Sequence, residues 1–256
     1  MKFGLNLYSL HKLIATEDEL RDVVARLKQM GYDHVQYSGG PFDPDRIARV
    51  SRELSMPVCL THVPLQRILD EPHKLMQEHA LFGCKNIGLG MLPQETFSNE
   101  QQLKETFAAL ERSAQVMHDN GYTLTYHNHH YEFSKLQSGQ RILDYVIENT
   151  KYLNFTLDTY WVQYGGCDVL DYVAKLKNRM VCVHLKDYKI VKETDSFAMK
   201  PAYAPVGNGN MDFPAIIDAM KKARVQYFLV EQDDACLYPD PFAEVKASID
   251  YLKSNF

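Results

Sequence analysis

The feature that most constrains this chain is an alternation of short β-branched or apolar runs with helix-patterned stretches, repeated eight times from end to end. The runs predict strands near 2–8, 33–38, 57–62, 85–90, 122–129, 153–158, 180–186 and 227–232. The stretches between them predict helices near 16–30, 43–54, 70–82, 98–120, 140–149, 168–177, 212–223 and 241–254. Strict strand–helix alternation implies a parallel sheet, and eight units imply its closure into an α/β (β/α)₈ TIM barrel. With 256 residues the chain has the length of one such barrel, so residues 1–256 read as a single domain. Thr16, with Glu17 and Glu19 behind it, caps the first helix, and Asp212 with Pro214 opens the seventh. The longest segment without periodicity, 187–211, reads as a lid or binding loop.

Side chains alternate along a strand, so one parity faces the helices and the other the barrel interior. Leu153, Phe155 and Leu157 take the helix side of strand six, which turns Asn154, Thr156 and Asp158 inward. By the same parity Cys182, His184 and Lys186 point inward from strand seven, and Thr123, Thr125, His127 and His129 from strand five. Asn6, Tyr8, Gln36, His62, Gly88, Gly90 and Glu231 follow on the remaining strands. These inward polar residues gather at the C-terminal strand ends, where barrels of this kind carry their active sites. Burying so many polar groups is costly unless they bind a ligand or one another.

Bulk properties exclude several alternatives. The net charge of −5 and the lack of any basic run argue against a nucleic-acid surface. No stretch reaches the roughly 20 apolar residues of a membrane helix, and residues 1–13 do not read as a signal peptide. The five cysteines show no C-x-x-C spacing, so they read as reduced thiols of a cytoplasmic protein. A homo-oligomer is compatible with the barrel, although no interface is marked in the sequence.

Four residues stand out as metal ligands: Glu132, Asp158, His184 and Glu231, from neighbouring strands or loops five to eight. Three carboxylates and one imidazole suit a hard or borderline dication; Mn²⁺ is favoured, with Mg²⁺, Co²⁺ and Zn²⁺ as alternatives. Each residue also has a structural role open to it. Asp158 could cap a helix or pair with Lys186, His184 could be a satisfied core histidine, Glu231 half of an ion pair, and Glu132 a solvated loop acid. Their joint placement favours the metal reading. The tract from Tyr126 to Phe133 holds three histidines in four residues, more than packing needs. One of His127 and His129 suits a general base near neutral pH, working with Glu231, and either could instead be a ligand. Asn6, His62 and Lys186 are candidates for substrate contacts. Trp161, the sole tryptophan, could wall a sugar ring or be a core aromatic.

The segments Leu157-Asp158-Thr159-Tyr160-Trp161, His184-Leu185-Lys186-Asp187 and Gly207-Asn208-Gly209-Asn210-Met211-Asp212-Phe213 resemble motifs of the sugar phosphate isomerase/epimerase family with the xylose isomerase-like barrel. The tract His-Asn-His-x-x-Glu-Phe resembles a subgroup of sugar isomerases. Members of the family include ketose 3-epimerases, hydroxypyruvate isomerases, inosose dehydratases and an abasic-site endonuclease branch. The resemblance implies a divalent metal held by Glu, Asp, His and Glu. Asp158, His184 and Glu231 match the last three positions. At the first, where the epimerases end strand five in Glu, this chain has His127, and Glu132 is the nearest carboxylate.

The function expected from these observations is a metal-dependent isomerase or epimerase acting on a keto-sugar or related polyol through an enediolate-type intermediate. The alternative is a metal-dependent lyase or dehydratase on an inosose or 3-keto sugar or glycoside, since both begin with loss of a proton beside a carbonyl. A sugar-binding barrel without catalysis is the non-enzyme reading.

Overall fold

The computed structural model describes residues 1–193 and 197–256. Eight parallel strands close into a barrel: β1 (Phe3–Asn6), β2 (His34–Tyr37), β3 (Val58–His62), β4 (Asn86–Leu89), β5 (Thr123–His127), β6 (Asn154–Asp158), β7 (Met180–Leu185) and β10 (Tyr227–Val230). Each neighbours its sequence predecessor, and β10 closes the ring between β7 and β1. The main helices around it are α1 (Glu17–Met30), α2 (Pro44–Leu54), α4 (Pro72–Ala80), α5 (Glu100–Asp119), α6 (Ile142–Asn149), α8 (Val169–Lys175), α9 (Phe213–Lys222) and α10 (Pro241–Asn255), with short helices α3 (Leu65–Asp70) and α7 (Thr159–Tyr164) between.

Strand parity does most of the sorting. The helix-facing set, with Leu124, Tyr126, Phe155, Leu157, Val183 and Phe228, joins the large core beneath the helices, while Leu60, Cys182 and Leu229 fill the barrel interior in a small separate cluster. Inside the barrel the Thr156 hydroxyl donates to that of Thr125 on the neighbouring strand at 3.1 Å. Local chemistry fixes the ends of the elements. Thr16 and Glu19 form a reciprocal capping box at the start of α1, and Gly31 ends that helix at a φ of 97°, a left-handed conformation suited to glycine.

The segment 187–211 corrects the expected irregular loop. Asp187–Lys192 (β8) and Met199–Ala204 (β9) pair antiparallel as a hairpin beyond the C-terminal mouth, in register from Asp187↔Ala204 to Lys192↔Met199. Residues 194–196 of that segment lie outside the described residues. At the hairpin's base the Asp187 carboxylate accepts the backbone N–H groups of Tyr188, Gly207, Gly209 and Met211 at 2.8–3.3 Å. Gly209 has to be glycine for steric reasons: a Cβ there would lie 2.2 Å from Asp187 Oδ1. No helix among the described residues is long and apolar enough to cross a membrane.

Candidate metal centre at the barrel mouth

The C-terminal ends of β5, β6 and β7 and the residue after β10 bring His127, Asp158, His184 and Glu231 together, all buried, with one ligand atom of each within 4.8 Å of the others. His127 Nε2 lies 3.4 Å from Asp158 Oδ2 and 3.9 Å from Glu231 Oε2; His184 Nδ1 lies 3.9 Å and 2.8 Å from the same two oxygens. Two ligands bound at about 2.1 Å to one ion are at most about 4.2 Å apart, so all four separations suit a shared ion.

The partners of the two imidazoles decide which nitrogen is bare. His127 Nδ1 is 3.0 Å from the carbonyl oxygen of Gly90, which can only accept, so the ring proton belongs there and Nε2 presents a lone pair. His184 Nε2 donates to Gln36 Oε1 at 2.7 Å, which leaves Nδ1 bare. Both lone pairs therefore face carboxylate oxygens. His184 Nδ1 and Glu231 Oε2 are fully buried, close together, and without a hydrogen bond. Electron-rich atoms turned toward one another in a buried site call for positive charge, which the Lys186 ammonium brings to the two carboxylate oxygens at 3.2 Å and 3.0 Å but not to the two imidazole nitrogens. Burial pulls the His127 pKa down, but Asp158 and Glu231 outweigh burial and raise it. Two nitrogens and two oxygens form a donor set that fits a divalent ion.

Glu132, expected as a ligand, is not in this group. The short turn at Tyr131–Phe133 folds it beneath the β5 end, where its carboxylate takes the Tyr126 hydroxyl and the His129 backbone N–H at 2.8 Å. His127, the other candidate for the first position, stands at that corner, so the candidate donors are two imidazoles and two carboxylates rather than one and three. Asn6, expected to touch substrate, lies behind Glu231 and donates to its Oε1 at 2.5 Å. Trp161 packs among His129, His130, Tyr160 and Tyr203, with its ring centre 5.3 Å from the Lys186 ammonium. Asp158 has a second role, since its Oδ1 accepts the Trp161 N–H at 3.0 Å and caps α7.

A cavity of about 300 Å³ opens over the cluster, and its walls include His62, Gly90, His127, His129, Lys186, Glu231 and Asp233. Gly90 leaves room for His62, whose ring a Cβ would meet at 2.7 Å. Lys186 is buried and ion-paired to Asp158 at 3.2 Å, Glu231 at 3.0 Å and Asp233 at 2.9 Å. Burial opposes its charge, but the three carboxylates hold its pKa well above the ordinary lysine value. Burial raises the Glu231 carboxyl, yet Lys186 and His184 drive it well below the carboxylate range. His62 and His129 are neutral: burial lowers both, His129 to about 2. Gln36, Asp233 and Tyr203 are site residues that sequence reasoning left unassigned. Asp233 shares the parity of Glu231 two residues on, which was a usable signal, whereas Tyr203 depends on the unforeseen hairpin.

Residues 24–255 match the family described as the xylose isomerase-like TIM barrel. This chain belongs to that family. Within it, the chain is 28% identical over 170 residues to an inosose dehydratase of Clostridium perfringens, a match covering 61% of this chain and 56% of that protein. The aligned part thus spans little more than half the length of the curated relative. Among solved structures, a sugar phosphate isomerase/epimerase from Parabacteroides distasonis superposes with a TM-score of 0.80 at 22% identity, covering 99% of this chain and 94% of the other. An L-ribulose 3-epimerase superposes with a TM-score of 0.69 at 17% identity, covering 99% and 94%. Both structural likenesses carry the fold.

Proposed function

We propose that this member of the xylose isomerase-like barrel family is a divalent-metal-dependent isomerase or epimerase of a keto-sugar or related polyol. The observation that carries the reading is the convergence of two imidazole nitrogens, whose partner nitrogens are committed to Gly90 and Gln36, on two carboxylate oxygens beneath the cavity. His127, Asp158, His184 and Glu231 are the residues that would hold the ion. Their mixed nitrogen and oxygen donors favour a borderline ion such as Mn²⁺ over Mg²⁺. When bound, such an ion supplies polarisation of a carbonyl and stabilisation of the negative charge left as the neighbouring C–H proton departs.

The chain's own groups divide the remaining work. Glu231 is an ionised carboxylate on the cavity wall, oriented by Asn6, and is the group to accept the carbon-bound proton. His129 and His62 are neutral imidazoles on the same wall, suited to hydrogen-bonding substrate hydroxyls. Lys186 presents an ammonium to developing oxygen charge.

A second reading, a dehydratase, has a place for its departing hydroxyl beside the Lys186 ammonium on the cavity wall, whose charge would stabilise the leaving oxygen. The similarity to inosose dehydratases supports the same reading. Incubating the Mn²⁺-loaded protein in D₂O with a panel of keto-sugars and inososes separates the two. Deuterium at the carbon beside the carbonyl with every oxygen retained supports the isomerase or epimerase. Exchange coupled to loss of water supports the lyase. No exchange with any substrate, with or without Mn²⁺, refutes both.

A further inference from the structure

We propose that Lys186 competes with a divalent ion for the carboxylates of Asp158 and Glu231, and that Asp233, Trp161 and Tyr203 form the cradle that holds its ammonium once the ion is bound. The inference rests on the metal reading above and concerns how this chain admits the ion.

Lys186 Nζ contacts Asp158 Oδ2 at 3.2 Å and Glu231 Oε2 at 3.0 Å. These are the same two oxygens that His127 and His184 face. An oxygen drawn to an ion at about 2.1 Å cannot keep an ammonium at about 3 Å without bringing the two cations within a few ångströms of each other, and in a buried site that repulsion is large. One of the two has to yield.

The fold supplies somewhere for the ammonium to go. Asp233 Oδ1, 2.9 Å from Nζ, lies outside the four-residue cluster and on the cavity wall. The faces of Trp161 and Tyr203 lie 5.3 Å and 5.7 Å from Nζ, within cation–π range. The Lys186 backbone stays fixed, because its N–H donates to Thr159 Oγ1 at 3.0 Å and its carbonyl accepts from the same hydroxyl at 2.8 Å. Only the flexible end of the side chain has to swing. The same lysine thereby neutralises the carboxylate pair before loading and offers its charge to substrate oxygens afterwards.

The test titrates Mn²⁺ by calorimetry into the metal-stripped full chain as wild type, K186M, D233N and K186M/D233N. K186M is expected to bind Mn²⁺ about tenfold or more tightly than wild type, since a competing cation is gone. D233N is expected to bind several-fold more weakly, because Lys186 falls back on Asp158 and Glu231, and this penalty should largely vanish in the K186M background. Unchanged or weaker binding by K186M overturns the proposal. So does a D233N penalty of equal size in both backgrounds, which would make Asp233 merely a nearby negative charge. If K186M does not fold, D233N decides alone: unchanged or tighter binding overturns the proposal. Mn²⁺ binding to wild type with insensitive variants defeats this inference only, whereas no binding to any of the four defeats the metal reading with it.

Discussion

His184 presents a bare Nδ1 to Glu231 Oε2 at 2.8 Å because its other ring nitrogen is committed to Gln36 Oε1 at 2.7 Å. Gln36 comes from β2, on the far side of the barrel from β6, so a residue outside the proposed ligand set fixes the tautomer that would let His184 serve as a ligand. In Gln36→Leu the Nε2 proton loses its acceptor, and the ring gains by moving that proton to Nδ1, where Glu231 accepts it. The lone pair is then withdrawn from the metal. We expect Mn²⁺ affinity to fall about 10- to 100-fold, the usual cost of losing such a partner. Unchanged affinity by calorimetry would show that Gln36 does not set the tautomer.

Asp158 serves two ends with its two oxygens, and amide replacement separates them. Oδ1 caps α7 through Trp161 N, while Oδ2 faces His127 and Lys186. Asn keeps a cap acceptor but not the charge; Ala keeps neither. D158N should therefore lose the Mn²⁺-induced rise in thermal midpoint, and D158A should lose it too and be less stable than D158N by about 1 kcal/mol, the usual value of a cap. In wild type, Mn²⁺ at about 100 times its dissociation constant should contribute about 2.7 kcal/mol. A rise of the same size in D158N would remove Asp158 from the ligand set.

The fold was legible because a barrel imposes two simple periods on its sequence. Period two in the strands assigned Asp158, His184 and Glu231 to the interior, and the C-terminal location of polar residues placed them at one mouth. Parity stops working where the strand stops. His127 is the last residue of β5, so its inward direction was readable; Glu132 lies in the turn beyond, where no periodicity says which way a carboxylate points. Gln36 was readable as inward, but its pairing with His184 spans 148 positions and depends on barrel closure. Tyr203 was hidden by a hairpin whose strand β9 carries Pro201 and exposed lysine, a composition that resembles a loop.

Two histidines far from the ion cluster predict how stability responds to acid. Burial lowers the pKa of His34 and of His79 to about 4, against 6.5 when exposed. His79 is held neutral between the Leu75 carbonyl and the Thr61 hydroxyl, each at 2.7 Å. A depressed folded-state pKa means that the unfolded chain binds more protons between those values. The stabilisation is complete above about pH 6.5 and is lost as pH falls through about 4. At pH 5 each should cost about 2 kcal/mol relative to neutral pH. Urea midpoints at pH 7.5 and 5 measure the drop, and His79→Gln, which keeps one donor and one acceptor, should make it shallower by its own share. An equal slope in that variant would exclude His79 as a source.

The hairpin that brings Tyr203 toward Lys186 hangs on one carboxylate. Asp187 gathers four backbone N–H groups, from Tyr188, Gly207, Gly209 and Met211, and is itself fully buried. Alanine leaves those donors without an acceptor, and asparagine can accept at one atom only while pointing N–H groups at other N–H groups. With charged hydrogen bonds contributing about 1.5–3 kcal/mol each and partial rescue by water, D187A should lose about 3–5 kcal/mol. D187N should lose a comparable amount. Gly209→Ala attacks the same junction sterically, because its Cβ would fall 2.2 Å from Asp187 Oδ1 and 2.4 Å from the Tyr188 carbonyl. If the junction works as a unit, G209A and D187A combined should cost much less than the sum of the two. Urea denaturation of the four proteins measures this, and strict additivity would mean that the loop from 205 to 211 is anchored elsewhere.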